Sequence, residues 1–237
     1  MSEKENTVSL KLGEYDKPGL YLIFEDSTRL AITRENVEKI TQEYWMDPDK
    51  IPQNVKEAVS FQRCLICPLK DNDICDALRP TLPLLSVMDK YKSFSKVTAI
   101  FIGDDKNLIH IADTTLQRAL RYISCLSLMS YCQIGREYWR YYVGIIPMMK
   151  THEIANRIYL NIYWSHGGNE NLVHNIISKF SDEITATTQN QVKRLRLICK
   201  HDAFLNAFVL THLVTDVLDE FRDKKLREQM KLFDLQH

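Results

Sequence analysis

Cys64-Leu65-Ile66-Cys67-Pro68 sets two thiols two residues apart, a spacing that lets one turn aim both sulfurs at a single metal ion. Cys75 follows across residues 69–74, a hydrophilic loop long enough to fold back, so three thiols can converge. A fourth ligand has to come from elsewhere: Cys125, Cys132, Cys199 or a histidine. Cys132 is the best local candidate, because Tyr131-Cys132-Gln133-Ile134-Gly135 falls where a helix is expected to end, and a side chain there is free of helix packing. Cys125 lies inside an apolar stripe, where a free cysteine usually behaves as a small buried hydrophobe.

One Cys-x-x-Cys with one further local cysteine is compatible with zinc, with an iron–sulfur cluster or with a redox thiol pair. Pro68 after the second cysteine is a feature of ferredoxin-type motifs, but the Cys-x2-Cys-x7-Cys spacing does not match them. A thioredoxin-type reading is weaker, since Pro68 follows the pair instead of sitting inside it. Other chemistry finds less material. His152-Glu153 lacks the second histidine that a zinc-protease helix needs four residues on, where Asn156 stands. Seven glycines leave no phosphate loop and no nucleophile elbow. Glu153 and Arg157, four apart on one helix face, read as a solvated ion pair or, if buried, as the lining of a pocket. His110, His166, His174, His201 and His212 share no spacing and read as surface or satisfied core residues.

These residues sit in a chain of 237 with 31 basic and 31 acidic side chains, a formal net charge of zero. That balance argues against a nucleic-acid partner recognised by bulk charge. The basic stripe Lys193-Arg194-Leu195-Arg196 with Lys200 accordingly reads as a solvated helix face. With 45% hydrophobic and 26% charged residues the chain can build its own core, so the cysteines are not needed merely to hold it together. The polar start Met1 to Asn6 has no apolar run behind it, and 204–217 is interrupted by Asn206, His212 and Asp216, so neither a signal nor a membrane span is expected. The expectation is a cytoplasmic chain, where cysteine spacing means metal or thiol chemistry before it means disulfides.

The elements that must position the thiols can be read from periodicity. Leu20–Phe24 and Arg29–Thr33 read as two strands about a polar turn, and residues 96–102 and 107–112 as a second pair. Residues 46–53 read as loop, 54–80 carry the cysteines, and 82–92 is a short helix candidate. After Asp113 the pattern turns helical: a helix capped by Asp113 or Thr114 with Leu116, Leu120, Ile123, Leu126 and Met129 on its stripe, an aromatic-rich stretch 134–142, and a helix from Thr151 to about Trp164. Tyr138, Trp139, Tyr141, Tyr142, Tyr159, Tyr163 and Trp164 read as mostly core. Two long helices, about 170–200 and 202–233, complete the chain. The last presents Leu205, Phe208, Val209, Leu213, Val217, Leu218 and Phe221, a broad face that packs on the protein's own core or, as the second choice, across a homodimer axis. The fold class is therefore α+β, a helix-dominated single domain with a small antiparallel sheet of about four strands. Residues 1–17 form a flexible N-terminus and 18–237 the domain, with sheet and cysteine loop in 18–113 and the helical part in 114–237.

The segment Cys64-Leu65-Ile66-Cys67-Pro68-Leu69 with Cys75, the entry Thr114-Thr115-Leu116-Gln117, and Leu128-Met129-Ser130-Tyr131-Cys132 resemble an uncharacterised family of bacterial cytosolic proteins. His152-Glu153-Ile154-Ala155-Asn156-Arg157 and Asp202-Ala203-Phe204-Leu205-Asn206-Ala207 are similar to further segments of it. The resemblance implies Cys64, Cys67, Cys75 and Cys132 as the matching ligand set and leaves out Cys125 and Cys199. The sequence departs from the family where Tyr131-Cys132-Gln133 replaces Gly-Cys-Pro and where Gly144-Ile145-Ile146-Pro147 replaces a histidine-bearing segment. The resemblance implies no reaction. The expected function is a cytosolic protein with a cysteine-ligated structural zinc site, regulatory or scaffold in role, with an unidentified protein partner. An iron–sulfur or thiol redox sensor is the alternative, and an enzyme with a pocket at Glu153 and Arg157 the third.

Overall fold

The computed structural model describes residues 15–220, apart from 61–63, 70–74, 89, 105–106 and 201; for 60, 86 and 87 it describes the backbone alone. The chain is an α+β protein dominated by helix, with one four-stranded antiparallel sheet. The strands β1 (Gly19–Phe24), β2 (Arg29–Thr33), β3 (Lys96–Ile102) and β4 (Ile109–Thr115) lie in the order β2-β1-β3-β4. Both expected pairs form, and β4 runs on through Asp113 and Thr114, the residues expected to cap the next helix; Thr115 stands at that cap without a side-chain bond. Asp113 instead accepts from Thr98 Oγ1 across the β3–β4 pair at 2.7 Å.

Strand alternation divides β1 between two apolar layers. Leu20, Leu22 and Phe24 face the helices with Ile32, Val97 and Ala99. Tyr21 and Ile23 join Ile100 and Ile102 on the other face, where Tyr15 packs edge-on against Tyr21. Lys17, expected with a flexible terminus, pairs with Glu35, and its carbonyl accepts from the Tyr21 hydroxyl. Residues 1–14 of that expected terminus lie outside the described residues.

The helix α1 (Arg34–Trp45) lays a narrow stripe, Val37, Ile40 and Tyr44, on the core, with Val37 its one fully buried residue, and it forms on a good cap: Thr33 Oγ1 accepts from Asn36 N–H at 3.3 Å. The helices α2 (Gln53–Ser60) and α3 (Leu78–Met88) flank the cysteine loop. Pro83 inside α3 has no N–H for the carbonyl of Arg79, and Trp45 Nε1 donates to that carbonyl at 3.0 Å instead.

The single helix expected from 116 to 129 is three pieces: α4 (Leu116–Ala119), α5 (Arg121–Leu126) and a π-helical turn over Ser127–Tyr131. A 3₁₀ stretch, Gly135–Tyr142, follows. The helices α6 (Thr151–Ser165), α7 (Glu170–Leu195) and α8 (Ala203–Glu220) complete the described chain. Gly167 and Gly168, both at positive φ, close α6 as the sequence requires. Of the aromatic group, Tyr138, Tyr141 and Tyr159 are core, whereas Trp139 and Trp164 are exposed.

The face of α8 centred on Phe204, Phe208, Thr211 and Leu218 is buried against α4, α5, α6 and α7, so the helix covers its own core. Val209 and Leu213 remain 38% and 41% exposed on its other side. Phe221 and the expected continuation to 233 lie outside the described residues. Among the described residues no helix is long and apolar enough to cross a membrane.

Candidate metal centre

Cys64, Cys67, Cys75 and Cys132 line one small cavity, together with Gln191 and Arg194 from α7. Sequence separation hides this convergence; three local devices produce it. The first is the turn after Cys64, whose carbonyl accepts from Cys67 N–H at 2.9 Å and so folds the Cys-x-x-Cys back on itself. The second starts α3: the Cys75 carbonyl accepts from Leu78 and Arg79 N–H, leaving the Cys75 side chain at the open end of the helix.

The third is the π turn. Cys132 N–H donates to the Ser127 carbonyl at 3.0 Å, a bond spanning five residues, and the backbone turns extended at Cys132. Gly135 then passes so close to Leu128 that an added Cβ would stand 2.2 Å from the Leu128 carbonyl oxygen. This tight return brings the N–H groups of Ile134 and Gly135 onto the Cys132 sulfur.

Side chains lock the second device to the third. Thr81 Oγ1 donates to Ser127 Oγ at 3.2 Å, Ser127 Oγ donates to the Ala77 carbonyl, and Gln133 Nε2 donates to Asp76 at 2.7 Å. All three bonds join the first turns of α3 and the residues just before it to the segment on either side of Cys132, so Cys75 and Cys132 are held by a common frame.

Most of the polar groups that reach the sulfurs are donors, although the Asp76 carboxylate, engaged by Gln133, also lines the cavity. Gln191 Nε2 donates to Cys75 Sγ at 3.4 Å, the Asn190 side chain donates to Cys64, and Arg194, 1% exposed, lies close enough to Cys64 to favour its thiolate. Burial works the other way. It pushes Cys132 up to about 11 and raises Cys64, and the neighbouring thiols add to both effects. The nest is therefore furnished for thiolates in a place where bare thiolates are costly.

The donor set is the soft one that suits zinc, and the cavity, about 10 Å³, has room for one atom-sized occupant. Among the described residues no group of three or more His, Cys, Asp or Glu side chains is already gathered tightly enough to hold an ion. Ligation therefore needs the thiols, which line one cavity, to turn toward a common point.

The remaining sequence candidates fall outside this nest. Cys125 packs in α5 beside Thr211, with its residue partly exposed and burial of the thiol pushing it up to about 11. Cys199 is half-buried against both large apolar clusters. Glu153 and Arg157 are both exposed, and Glu153 accepts from Lys150 N–H at 2.7 Å as the first-turn acid of α6, so the pair reads as surface. His166 is satisfied by the Tyr141 hydroxyl at 2.9 Å.

Arg194 corrects the reading of its basic stripe as a solvated face, because it is buried against the thiols. The signal for it was spacing: Asn190, Gln191 and Arg194 share one face of α7, and all three attend the cysteines.

Fold and site together define an α+β protein with a four-cysteine nest, Cys64 and Cys132 buried and Cys67 and Cys75 partly exposed, joining a loop to a helical half. No family model matches the chain, and no solved structure matches it.

Proposed function

We propose that Cys64, Cys67, Cys75 and Cys132 bind one zinc ion as thiolates, and that this structural centre makes the chain a regulatory or scaffold protein of the cytoplasm. The observation that carries the reading is the common orientation of the polar groups toward sulfur: two backbone N–H groups, two side-chain amides and a buried guanidinium attend three of the four cysteines. A neutral thiol nest has little use for so many donors, whereas a four-thiolate zinc centre carries net negative charge that they and Arg194 offset. The same four residues are the set implied by the family resemblance.

Such a centre would fasten the loop between α2 and α3 to the end of the π turn, and ion binding would contribute folding free energy directly. The test is metal analysis with an absorption spectrum on anaerobically purified protein. One zinc per chain and no visible band is the expected result. A brown protein with iron and sulfide would overturn the zinc assignment in favour of the cluster. Protein free of metal, yet responding to oxidants through the same cysteines, would overturn it in favour of redox thiols.

A further inference from the structure

A second site lies far from the cysteines, at the end of the sheet where the strands meet the helical half. It is an open cleft of about 1350 Å³, walled by the end of β1, the starts of β2 and β3, the end of β4, and residues of α4, α5, α6 and α8. Arg29, Lys96, Arg118, Arg121 and Lys150 line it, against two acids, Glu25 and Asp113. In a chain whose charges balance overall, five cations against two anions in one concavity is a local excess.

Arg121 is the second and independent observation. It is 2% exposed, and among the described residues no carboxylate lies within ion-pair distance of it. Its Nη1 donates to the Met149 carbonyl at 2.8 Å and its Nη2 reaches Thr151 Oγ1 at 3.4 Å, while its buried Nε has no partner. Burial, and to a lesser degree the charge of Arg118, hold its pKa below the ordinary value. A buried guanidinium normally has an anion beside it, because the cost of removing its charge from water is otherwise unmet. Thr114 Oγ1, also in the cleft wall, is a second buried polar atom without a partner.

We infer that this cleft binds an organic phosphate, its phosphate held by Arg121 with Arg118, Lys96 and Lys150 and its body lying on the apolar part of the wall. A guanidinium fork matches phosphate oxygens, and exposed lysines supply point charge around it. Leu210, with the edges of Ile23, Phe24 and Val97 showing between the strand ends, gives the cleft some apolar surface that a bare inorganic ion would not use. A polyanion would need basic surface continuing beyond the cleft, and a chain of zero net charge offers little of it. Thr151 at the start of α6 adds a hydroxyl to the wall beside Arg121, while the helix start itself is capped by Glu153.

The experiment is titration of the full chain with phenyl phosphate, followed by calorimetry and by amide shifts, with phenol as the uncharged control. Phenyl phosphate is expected to bind at millimolar concentration or below, to weaken as salt rises, and to shift amides of 113–121 and 150–151. The double variant Lys96→Ala, Arg118→Ala changes exposed side chains, so it keeps the fold, and it is expected to weaken binding by about tenfold or more. Arg121→Lys keeps a charge but loses the fork and is expected to weaken binding as well. No binding at millimolar phenyl phosphate, equal binding of phenol, or binding unchanged in the double variant would each overturn the assignment. The outcome is independent of the metal content of the cysteine nest.

Discussion

The two sites make opposite demands. At the cysteine nest, donors and a buried arginine attend the sulfurs, burial raises the Cys64 and Cys132 thiols, and the proposed occupant is a cation in a small space of about 10 Å³. At the cleft, a buried arginine and exposed cations surround an opening of about 1350 Å³, and what is wanted is an anion. The difference teaches what each occupant is for. A closed site whose ligands come from separated segments ties the fold together, so losing its occupant should be felt as stability. An open site on preformed elements exchanges its occupant with solvent, so losing a residue there should be felt as binding.

The sharpest way to break this comparison is Cys132→Ser. It should abolish stoichiometric zinc and lower Tm by about 10 °C or more, since several kcal/mol of site stability in a chain of this size corresponds to such a shift. Metal analysis with a thermal scan checks it. An unchanged Tm with retained zinc would place the ligand set elsewhere. Gly135→Ala should come next, at roughly 1–3 kcal/mol, because its Cβ would collide with the Leu128 carbonyl at 2.2 Å and the turn would have to open. It should weaken zinc retention against a chelator too, because that turn carries N–H groups to the Cys132 sulfur. A loss of stability with zinc held as firmly as before would separate the turn from the metal.

The pH dependence distinguishes the loaded from the stripped nest. In metal-free protein the Cys132 thiol stands near 11 against an ordinary 9.0, so its folded pKa is raised. Stability from this group is fully present below pH 9 and is lost as pH rises toward 11, by roughly 2–3 kcal/mol. Cys125, raised likewise, contributes a loss over the same window whether or not zinc is bound. With zinc present the Cys132 part disappears, because the thiol is already ionised, and the weak side moves to acid, where protons compete with the metal. Chemical denaturation from pH 7 to 11, with and without a chelator, reads the difference. Coincident curves would argue against ionised thiols in the loaded state.

The two sites also differ in how far the sequence announces them. Three of the nest's cysteines lie within twelve positions, and Cys132 was approachable from its place at a helix end. The strands were legible because alternation and polar turns act locally. The breaks after Ala119 and Leu126 were not, because the stripe through Leu116, Leu120 and Ile123 runs on across both; at the second, long-range bonds join Ser127 to Thr81 and Ala77. Helix α1 escaped because its stripe, Val37, Ile40 and Tyr44, is narrow and set among polar residues. The cleft was invisible: its cations come from positions 29, 96, 118, 121 and 150, which share no spacing until the end of the sheet meets α6. Arg121 stands three residues before Ser124 and seven before Leu128, a mixed face that hydropathy alone reads as half-solvated, and burial of that face against α8 makes the arginine exceptional.

The smallest expected effect sharpens the comparison from the cleft's side. Arg118→Ala removes an exposed like charge next to buried Arg121, so it should leave stability within about 0.5 kcal/mol and shift it, if at all, upward. Phosphate-bearing ligand should then weaken while zinc content stays the same. Denaturant titration of the unligated protein checks the first part. A marked destabilisation would mean that Arg118 supports the fold through contacts of its own and that the cleft, like the nest, is structural. A neutral or slightly stabilising result is the pattern of a site whose cations repel one another until an anion arrives.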